Sequence, residues 1–143
     1  MIIGIDPDSK AHGVAIYEKG KLIELKSMTL VELTSVFRCN EHRNPIVHIE
    51  DVNGVSASFT ARDSKKNTNI KLKIASHSGM CKQSQLEVER MAEYYGIRVV
   101  KHKISSSWKD ARGKKMFEAA TGWKGRSNED TRSAAYFGFL GCK

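Results

Sequence analysis

The order of apolar runs in the N-terminal third is the feature that most constrains the fold of this chain. Residues 1–6 have the pattern of a strand, and apolar positions at 14–17 and 22–26 indicate two more strands, joined by a short turn at Lys19 and Gly20. Strands separated by such short turns pair with each other in an antiparallel manner. The beginning of the chain is therefore predicted to be a meander of antiparallel strands.

A helix and a fourth strand are predicted after this meander. Thr29 and Glu32 have the spacing of a capping box, and the apolar residues that follow share one helical face. Residues 46–50 are predicted to form a strand that lies parallel to the first, because the chain reaches it through a helix. Asp6 and Glu50 would then lie at the same end of neighbouring strands.

The second half of the chain is predicted to be mostly helical. Spacing and capping signals predict helices at 70–76, 85–95 and about 114–121, a strand at 97–101, and a last helix that begins at Asn128. These elements together predict an α/β fold with a five-stranded mixed sheet flanked by helices. Because 143 residues are enough to bury one core, we expect a single domain over residues 1–143.

The charge balance points to a polyanionic partner. The chain has 24 Lys and Arg against 16 Asp and Glu, a formal net charge of +8. The excess is uneven, with six basic residues against one acid over 62–82 and nine against two over 98–126. Solvated helix faces are the alternative explanation for such runs. A membrane surface is disfavoured, because these segments lack the large apolar face of interfacial helices.

The cysteines and the apolar runs indicate the compartment. Cys39, Cys81 and Cys142 are odd in number, far apart and not in a CxxC pattern, so we expect reduced thiols and no zinc site. The sequence shows neither a signal peptide nor a run of roughly 20 apolar residues that could span a membrane. We therefore expect a soluble protein of the cytoplasm, or of the host cytoplasm if a phage encodes it, with no membrane partner.

Three acidic residues occupy positions from which they could converge. Asp6 and Glu50 are predicted at adjacent strand ends, and Asp130 lies in the first turn of the last helix. Taken singly, Asp6 is explained as a turn residue and Asp130 as a complement to the helix dipole. Taken together, clustered carboxylates need a cation among them, and oxygen ligands suit Mg²⁺ or Mn²⁺. In a basic protein, such a site fits metal-dependent hydrolysis of a phosphodiester.

The motifs around these acids resemble those of RuvC-type Holliday junction resolvases of the ribonuclease H-like superfamily, in particular the small phage-encoded branch. The resemblance covers nearly the whole chain and is carried by IIGIDPDS, IEDV, NIKLKIASHSG, SWKDARGKK and NEDTRSAA. It implies a ribonuclease H-like fold and a Mg²⁺-dependent endodeoxyribonuclease, in which Mn²⁺ can substitute. By position, Asp6, Glu50 and Asp130 resemble metal-binding acids of the family, and Lys109 resembles a basic residue near the scissile phosphate.

The chain departs from the family pattern at two positions in these motifs. Asp8 stands where the first motif usually has glycine, which alters the turn but leaves the carboxylate of Asp6 in place. Ser133 stands where a fourth acid is expected, three residues after Asp130 and on the same helical face. Either Ser133 holds a weakened metal site through water or Glu129 supplies the fourth ligand. Helix geometry favours Ser133, because Glu129 points roughly 100° away.

The resemblance also implies the partners. The expected substrate is a four-way junction or other branched DNA, and the two-fold symmetry of a junction favours a homodimer, with the apolar face of residues 70–95 as the candidate interface. Intrachain core would give the same apolar pattern. Basic residues in the two charge runs are expected to contact phosphates: Arg62, Lys65, Lys66, Lys71, Lys73, Lys109, Lys114 and Lys115.

Two other functions remain open alternatives at this point. Ser133 makes a non-catalytic or weakly catalytic junction-binding protein plausible, and the same fold could serve a nuclease that acts on single strands or is directed to RNA. An actin-type ATPase also places an aspartate at the end of its first strand. It is disfavoured, because 143 residues cannot supply the two lobes of that fold.

Overall fold

The computed structural model describes residues 1–54 and 67–143 of the chain. The described strands are β1 (Ile2–Asp6), β2 (His12–Glu18), β3 (Lys21–Met28), β4 (Ile46–Glu50) and β5 (Arg98–His102). The described α-helices are α1 (Leu30–Asn40), α2 (Thr68–Tyr94), α3 (Ala111–Thr121) and α4 (Glu129–Gly141). Among the helices of these two ranges, none combines the length and the apolar character needed to cross a membrane.

The five strands form one mixed sheet in the order β3-β2-β1-β4-β5. β1 pairs antiparallel with β2 and parallel with β4, and Ile5 lies opposite Ile49 in that parallel pair. Since parallel neighbours end at the same edge of a sheet, Asp6 and Glu50 lie side by side. The predicted five-stranded mixed sheet and the parallel crossover are therefore confirmed.

The apolar core on one face of the sheet follows from the period-2 alternation of the central strands. Ile3 and Ile5 are fully buried on this face, where they join residues of α1 and α2 such as Phe37 and Val88. Thr29 caps α1 through the predicted capping box with Glu32. Burial of these side chains anchors the ends of β1 and β4, which carry the two acids.

Helix α4 covers the other face of the sheet and approaches it closely at two strand glycines. A Cβ on Gly4 would overlap the carbonyl oxygen of Ala134, and a Cβ on Gly13 would overlap the carbonyl of Asp130. Gly13 is also the register partner of Asp6 across the antiparallel pair. The absence of a side chain at Gly13 therefore lets the first turn of α4 lie against the strand end that carries Asp6.

The prediction of separate helices at 70–76 and 85–95 is wrong, because α2 is one continuous helix from Thr68 to Tyr94. Gly79 lies in the middle of it and weakens the local helical preference that a sequence pattern can detect. Tertiary packing overrides that weakness, since Val88 and Ala92 are buried in the core and Asn67 caps the first turn.

The remaining elements differ from the prediction only at their ends. β2 and β3 are longer than 14–17 and 22–26, β5 lies one residue later than 97–101, and α3 begins three residues early because Asp110 caps it. Gly122 ends α3 in the left-handed conformation, and Asn128 caps α4 as predicted.

Candidate metal centre

Two buried carboxylates lie at the carboxyl ends of the central parallel strands. Asp6 is 6% exposed and Glu50 is 3% exposed. The backbone N–H of Ser105 donates to Glu50 Oε1 over 3.2 Å. Within the described ranges, Asp6 Oδ2 is a buried oxygen that accepts no hydrogen bond. A buried carboxylate oxygen without a donor is costly unless a cation binds it.

Lys109 is the cation that the fold places beside these acids. Its Nζ lies 3.4 Å from Asp6 Oδ2 and 3.6 Å from Glu50 Oε1. Burial lowers the pKa of Lys109, but the charges of Asp6 and Glu50 outweigh burial and leave its pKa raised. Lys109 is therefore fully charged at neutral pH and neutralises part of the charge of the two carboxylates.

Arg132 holds the loop that presents Lys109, a role that the sequence reasoning did not identify. The buried guanidinium of Arg132 donates to the carbonyl oxygens of Trp108 (2.8 Å, from Nε) and Lys109. Trp108 has a φ of 66°, an unusual conformation for a side chain of this size. The available sequence signal was the position of Arg132 within NEDTRSAA, two residues after Asp130.

The electrostatics of the site show a deficit of positive charge. Burial is the main cause that raises the pKa of Asp6 to about 6, and repulsion from Glu50 adds to it, while Lys109 lowers it. Burial also raises the pKa of Asp130, and repulsion from Asp6 and Asp8 adds to that effect. Asp130 is exposed, and its coupling to Asp6 through charge is the observation that relates it to the buried pair. A divalent cation would relieve the repulsion.

The two candidates for the fourth ligand occupy different environments. Ser133 is 1% exposed, and its hydroxyl lowers the pKa of Asp6. Ser133 Oγ nevertheless has no hydrogen-bond partner in the described part of the chain. Glu129 is exposed in the first turn of α4. The geometry therefore favours Ser133, with a buried hydroxyl that is available to a metal-bound water.

Apart from Lys109, the predicted DNA-binding residues that the structure describes lie on two helices. Lys71 and Lys73 lie in the first turns of α2, and Lys114 and Lys115 are exposed on α3. Lys114 also pairs with Glu118 over 3.8 Å. The other three predicted contacts lie outside the described residues: Arg62, Lys65 and Lys66.

An apolar cleft of about 480 Å³ lies next to the strand end of Glu50. Its lining includes Val52 and Ile104, which lie in the segments that follow β4 and β5. Ile70 and Lys73 of α2 also line it.

His48 and Trp108 make structural contacts near the site. His48 lies in β4 and its Nδ1 is 2.8 Å from His102 Nε2, as expected for a strand residue satisfied by a neighbour. Trp108 is buried and packs against Phe117 and Tyr136, which excludes base stacking by its ring in this conformation.

Comparison with known proteins identifies the fold. No family profile and no curated protein sequence matches the chain. The structure of Thermus thermophilus RuvC in complex with a Holliday junction substrate matches with a TM-score of 0.54 and 13% identity, over 96% of this chain and 90% of that chain. Another Thermus thermophilus RuvC structure matches with a TM-score of 0.51 and 15% identity, over the same shares. The chain therefore has the ribonuclease H-like fold of RuvC, and the predicted fold class is confirmed.

Proposed function

We propose that this chain is a structure-selective DNA endonuclease that resolves Holliday junctions and other branched DNA by metal-dependent phosphodiester hydrolysis. The observation that carries the proposal is the buried pair Asp6 and Glu50, with Lys109 within 3.6 Å of both carboxylates. A fold that buries two acids side by side must offset their repulsion, and a divalent cation does so. The similarity to a RuvC structure that contains a junction supports DNA as the substrate.

The residues present fit a divalent metal. The Asp6 oxygen that accepts no hydrogen bond and the raised pKa values of Asp6 and Asp130 indicate a site that needs further positive charge. Asp6, Glu50 and Asp130 would bind the ion, and Ser133 would hold a coordinated water. Carboxylate and hydroxyl oxygens suit Mg²⁺, and Mn²⁺ can replace it. When bound, the ion activates water and stabilises the leaving oxygen of the phosphodiester.

The chain itself supplies positioning and charge. Lys109 is close enough to the carboxylates to stabilise a phosphate brought to them, since its ammonium is only partly buried. Arg132 fixes the backbone of Lys109 and keeps that ammonium at the site. The donor from Ser105 orients Glu50. These contacts preorganise the site before DNA binds.

Binding to DNA would depend on phosphate contacts and on the two-fold symmetry of the junction. The net charge of +8 and the lysines of α2 and α3 favour a polyanion. A homodimer would place one site against each of two opposing strands, which is the arrangement that symmetrical nicking requires.

Ser133 favours a second candidate function. A buried serine at the position where the family has a fourth acid would bind a divalent ion more weakly than a carboxylate does. A protein that binds junctions and cleaves them weakly or not at all would have such a site.

Cleavage and binding assays on defined substrates test the proposal. Four-way, flap, duplex and single-stranded DNA, and an RNA strand, are incubated with the chain with and without Mg²⁺. We expect paired nicks across the four-way junction only with the metal. Asp6→Asn, Glu50→Gln and Asp130→Asn should each abolish cleavage while retaining junction binding, because each removes a metal ligand and also repulsion toward phosphate.

The matched control is Glu41→Gln, which removes an exposed acid that precedes β4 and so lies away from the carboxyl-end site. It should cleave like the wild type. Junction binding without cleavage in either Mg²⁺ or Mn²⁺ would instead identify the binding protein. Preferred cleavage of the single strand or of RNA would identify a different nuclease on the same fold.

A further inference from the structure

A second cluster of side chains of metal-ligating types lies outside the set Asp6, Glu50 and Asp130. It consists of Asp8, in the loop after β1, and His77 and Cys81 on α2, and one ligand atom from each lies within 4.8 Å of the others. Cys81 lies four positions after His77, so the continuous helix α2 places both on one face. The expectation of no zinc site rested on the lack of a CxxC pair and did not address this spacing.

The distances within the cluster are close to those of a metal site. Cys81 Sγ lies 3.6 Å from His77 Nε2, and His77 Nε2 lies 3.9 Å from Asp8 Oδ2. Zn–S and Zn–N bonds of about 2.3 and 2.0 Å in a tetrahedral site put sulfur and nitrogen about 3.5 Å apart. The His77 and Cys81 pair already has this separation, and the distance from His77 to Asp8 is about 0.6 Å longer than a tetrahedral site requires.

The carboxylate of Asp8 is oriented by its own loop. The backbone N–H of Lys10 donates to Asp8 Oδ1 over 2.9 Å, and the other oxygen, Oδ2, is the one that faces His77. A hydrogen bond to the oxygen that does not coordinate is the usual means by which proteins fix a ligating carboxylate. His77 is exposed, so an ion can reach the site and a water can fill a fourth position.

We propose that Asp8, His77 and Cys81 form a binding site for a thiolate-preferring divalent ion such as Zn²⁺, separate from the carboxylate site. A sulfur and a nitrogen ligand favour Zn²⁺ or Co²⁺ over Mg²⁺, whereas the all-oxygen set around Asp6 has the opposite preference. The ion would connect α2 to the loop that follows Asp6, and would thereby join a DNA-binding helix to the strand end of the candidate metal centre. Metal binding by these three residues does not require that the chain be a nuclease.

Cobalt absorption spectroscopy on the full, reduced chain tests this site without any measurement of activity. Co²⁺ bound by a thiolate gives a near-ultraviolet charge-transfer band, which oxygen ligands do not produce. The wild type should develop this band and saturate near one ion per chain, and Zn²⁺ should remove the band by competition. Cys81→Ser should abolish the band, and His77→Gln and Asp8→Asn should weaken Co²⁺ binding by about tenfold or more.

Two controls distinguish this site from other sites in the chain. Cys39→Ser removes an exposed thiol on α1 and should leave the band unchanged. The double variant Asp6→Asn with Glu50→Gln removes the candidate hydrolytic site and should also retain the band. Far-ultraviolet circular dichroism checks that each variant is folded, and the exposed position of His77 makes His77→Gln the variant least prone to misfold.

The proposal is overturned by any of three results. The wild type shows no band at saturating Co²⁺, the band survives in Cys81→Ser, or the band disappears in the Asp6→Asn and Glu50→Gln double variant. The last result would place the ion at the candidate metal centre. A loss of nuclease activity in that double variant bears on the proposed function and leaves this site untouched.

Discussion

The ammonium of Lys109 lies 3.4 Å from Asp6 Oδ2, the buried oxygen that accepts no hydrogen bond in the described ranges. Lys109 therefore occupies part of the space where positive charge is needed. In the proposed nuclease it would compete with a metal ion for Asp6, and it would also attract a phosphate that approaches the carboxylates.

Lys109→Gln should separate these two effects. We expect the cleavage rate at saturating Mg²⁺ to fall by about 100-fold, the scale for loss of one preorganised donor. The Mg²⁺ concentration needed for half-maximal rate should fall as well, because a competing cation is removed. Single-turnover rates across a Mg²⁺ series measure both. Lys21→Gln, at an exposed lysine where β3 begins, is the control and should change neither value.

Ser133→Asp should lower the metal requirement for cleavage. A carboxylate at this buried position lies one turn after Asp130 and close to Asp6, so it would add the missing acid. Without metal the same change should destabilise the fold, since it buries a further negative charge. Glu129→Gln should cost little activity, whereas Ser133→Ala should raise the metal requirement, because it removes the hydroxyl that would hold the coordinated water. Metal titrations with Mg²⁺ and Mn²⁺ compare the four proteins.

An inactive Glu129→Gln combined with an unimproved Ser133→Asp would reverse the assignment. Glu129 would then be the fourth ligand, despite its exposure in the first turn of α4. Thermal unfolding of Ser133→Asp in saturating Mg²⁺ verifies that an unimproved rate reflects the site and not an unfolded protein.

The pKa of Asp6 predicts how stability changes with pH in the absence of metal. Burial raises this pKa from an ordinary value of 3.8 to about 6. Asp6 therefore holds more protons in the folded chain than in the unfolded chain between these two values, and its contribution to stability falls as the pH rises through that window. The loss attributable to Asp6 is at most about 3 kcal/mol.

Urea unfolding in EDTA, from about pH 4 to about pH 7, measures this dependence. Asp6→Asn should remove the Asp6 contribution to the pH dependence of the free energy of unfolding, because the amide does not titrate. Glu41→Gln removes an exposed acid and should leave that contribution intact. Burial also lowers the pKa of His12, His48 and His102, which raises stability with pH over part of this range, so the test is the difference between the wild type and Asp6→Asn. A wild-type stability that rises relative to Asp6→Asn across this window would contradict the prediction, since it would mean that Asp6 is stabilised in its charged form.

Lys71 and Lys73 should bind DNA phosphates in the junction complex. Lys73 lines the cleft beside Glu50, and Lys71 lies two positions earlier on α2. The double change to glutamine should weaken binding to any branched DNA. It should also reduce the slope of log K against log salt by about 0.9 for each phosphate that the protein no longer neutralises. Fluorescence anisotropy at several salt concentrations provides the slope.

Lys19 and Lys21 offer a matched pair for this test. They are exposed at the β2–β3 turn, away from the carboxyl ends of β1 and β4. Their change to glutamine removes the same charge and should leave most of the slope in place. Equal effects of the two double variants would mean that Lys71 and Lys73 act only through net charge.

The homodimer is predicted to use the apolar residues that α2 leaves exposed. Leu72 is 63% exposed and Met80 is 49% exposed, whereas Val88 and Ala92 are fully buried in the core and cannot form an interface. Leu72→Lys with Met80→Lys should convert a dimer to a monomer in sedimentation velocity. Val31→Lys, at a 76% exposed position of α1, is the control. A dimer that survives the double change would place the interface elsewhere.

Local sequence rules determined the strands, the caps and one half of the candidate metal centre. The apolar alternation around Ile3 and Ile5 is a short-range pattern, and so is the capping box of Thr29 and Glu32. Because a helical crossover makes strands parallel, the pairing of β1 with β4 followed from the order of elements alone. That pairing is why Asp6 and Glu50 could be predicted as neighbours.

Only the tertiary structure decided what lies around that pair. The close approach of α4 at Gly13 brings Asp130 and Ser133 toward Asp6, and Arg132 fixes the loop of Lys109 from a different element. The continuity of α2, which depends on core packing, aligns the ligands of the second cluster. Local patterns report preferences within a few residues, whereas these interactions join segments that are distant in the chain. They form only once the core has packed, and sequence periodicity does not predict contacts between distant segments.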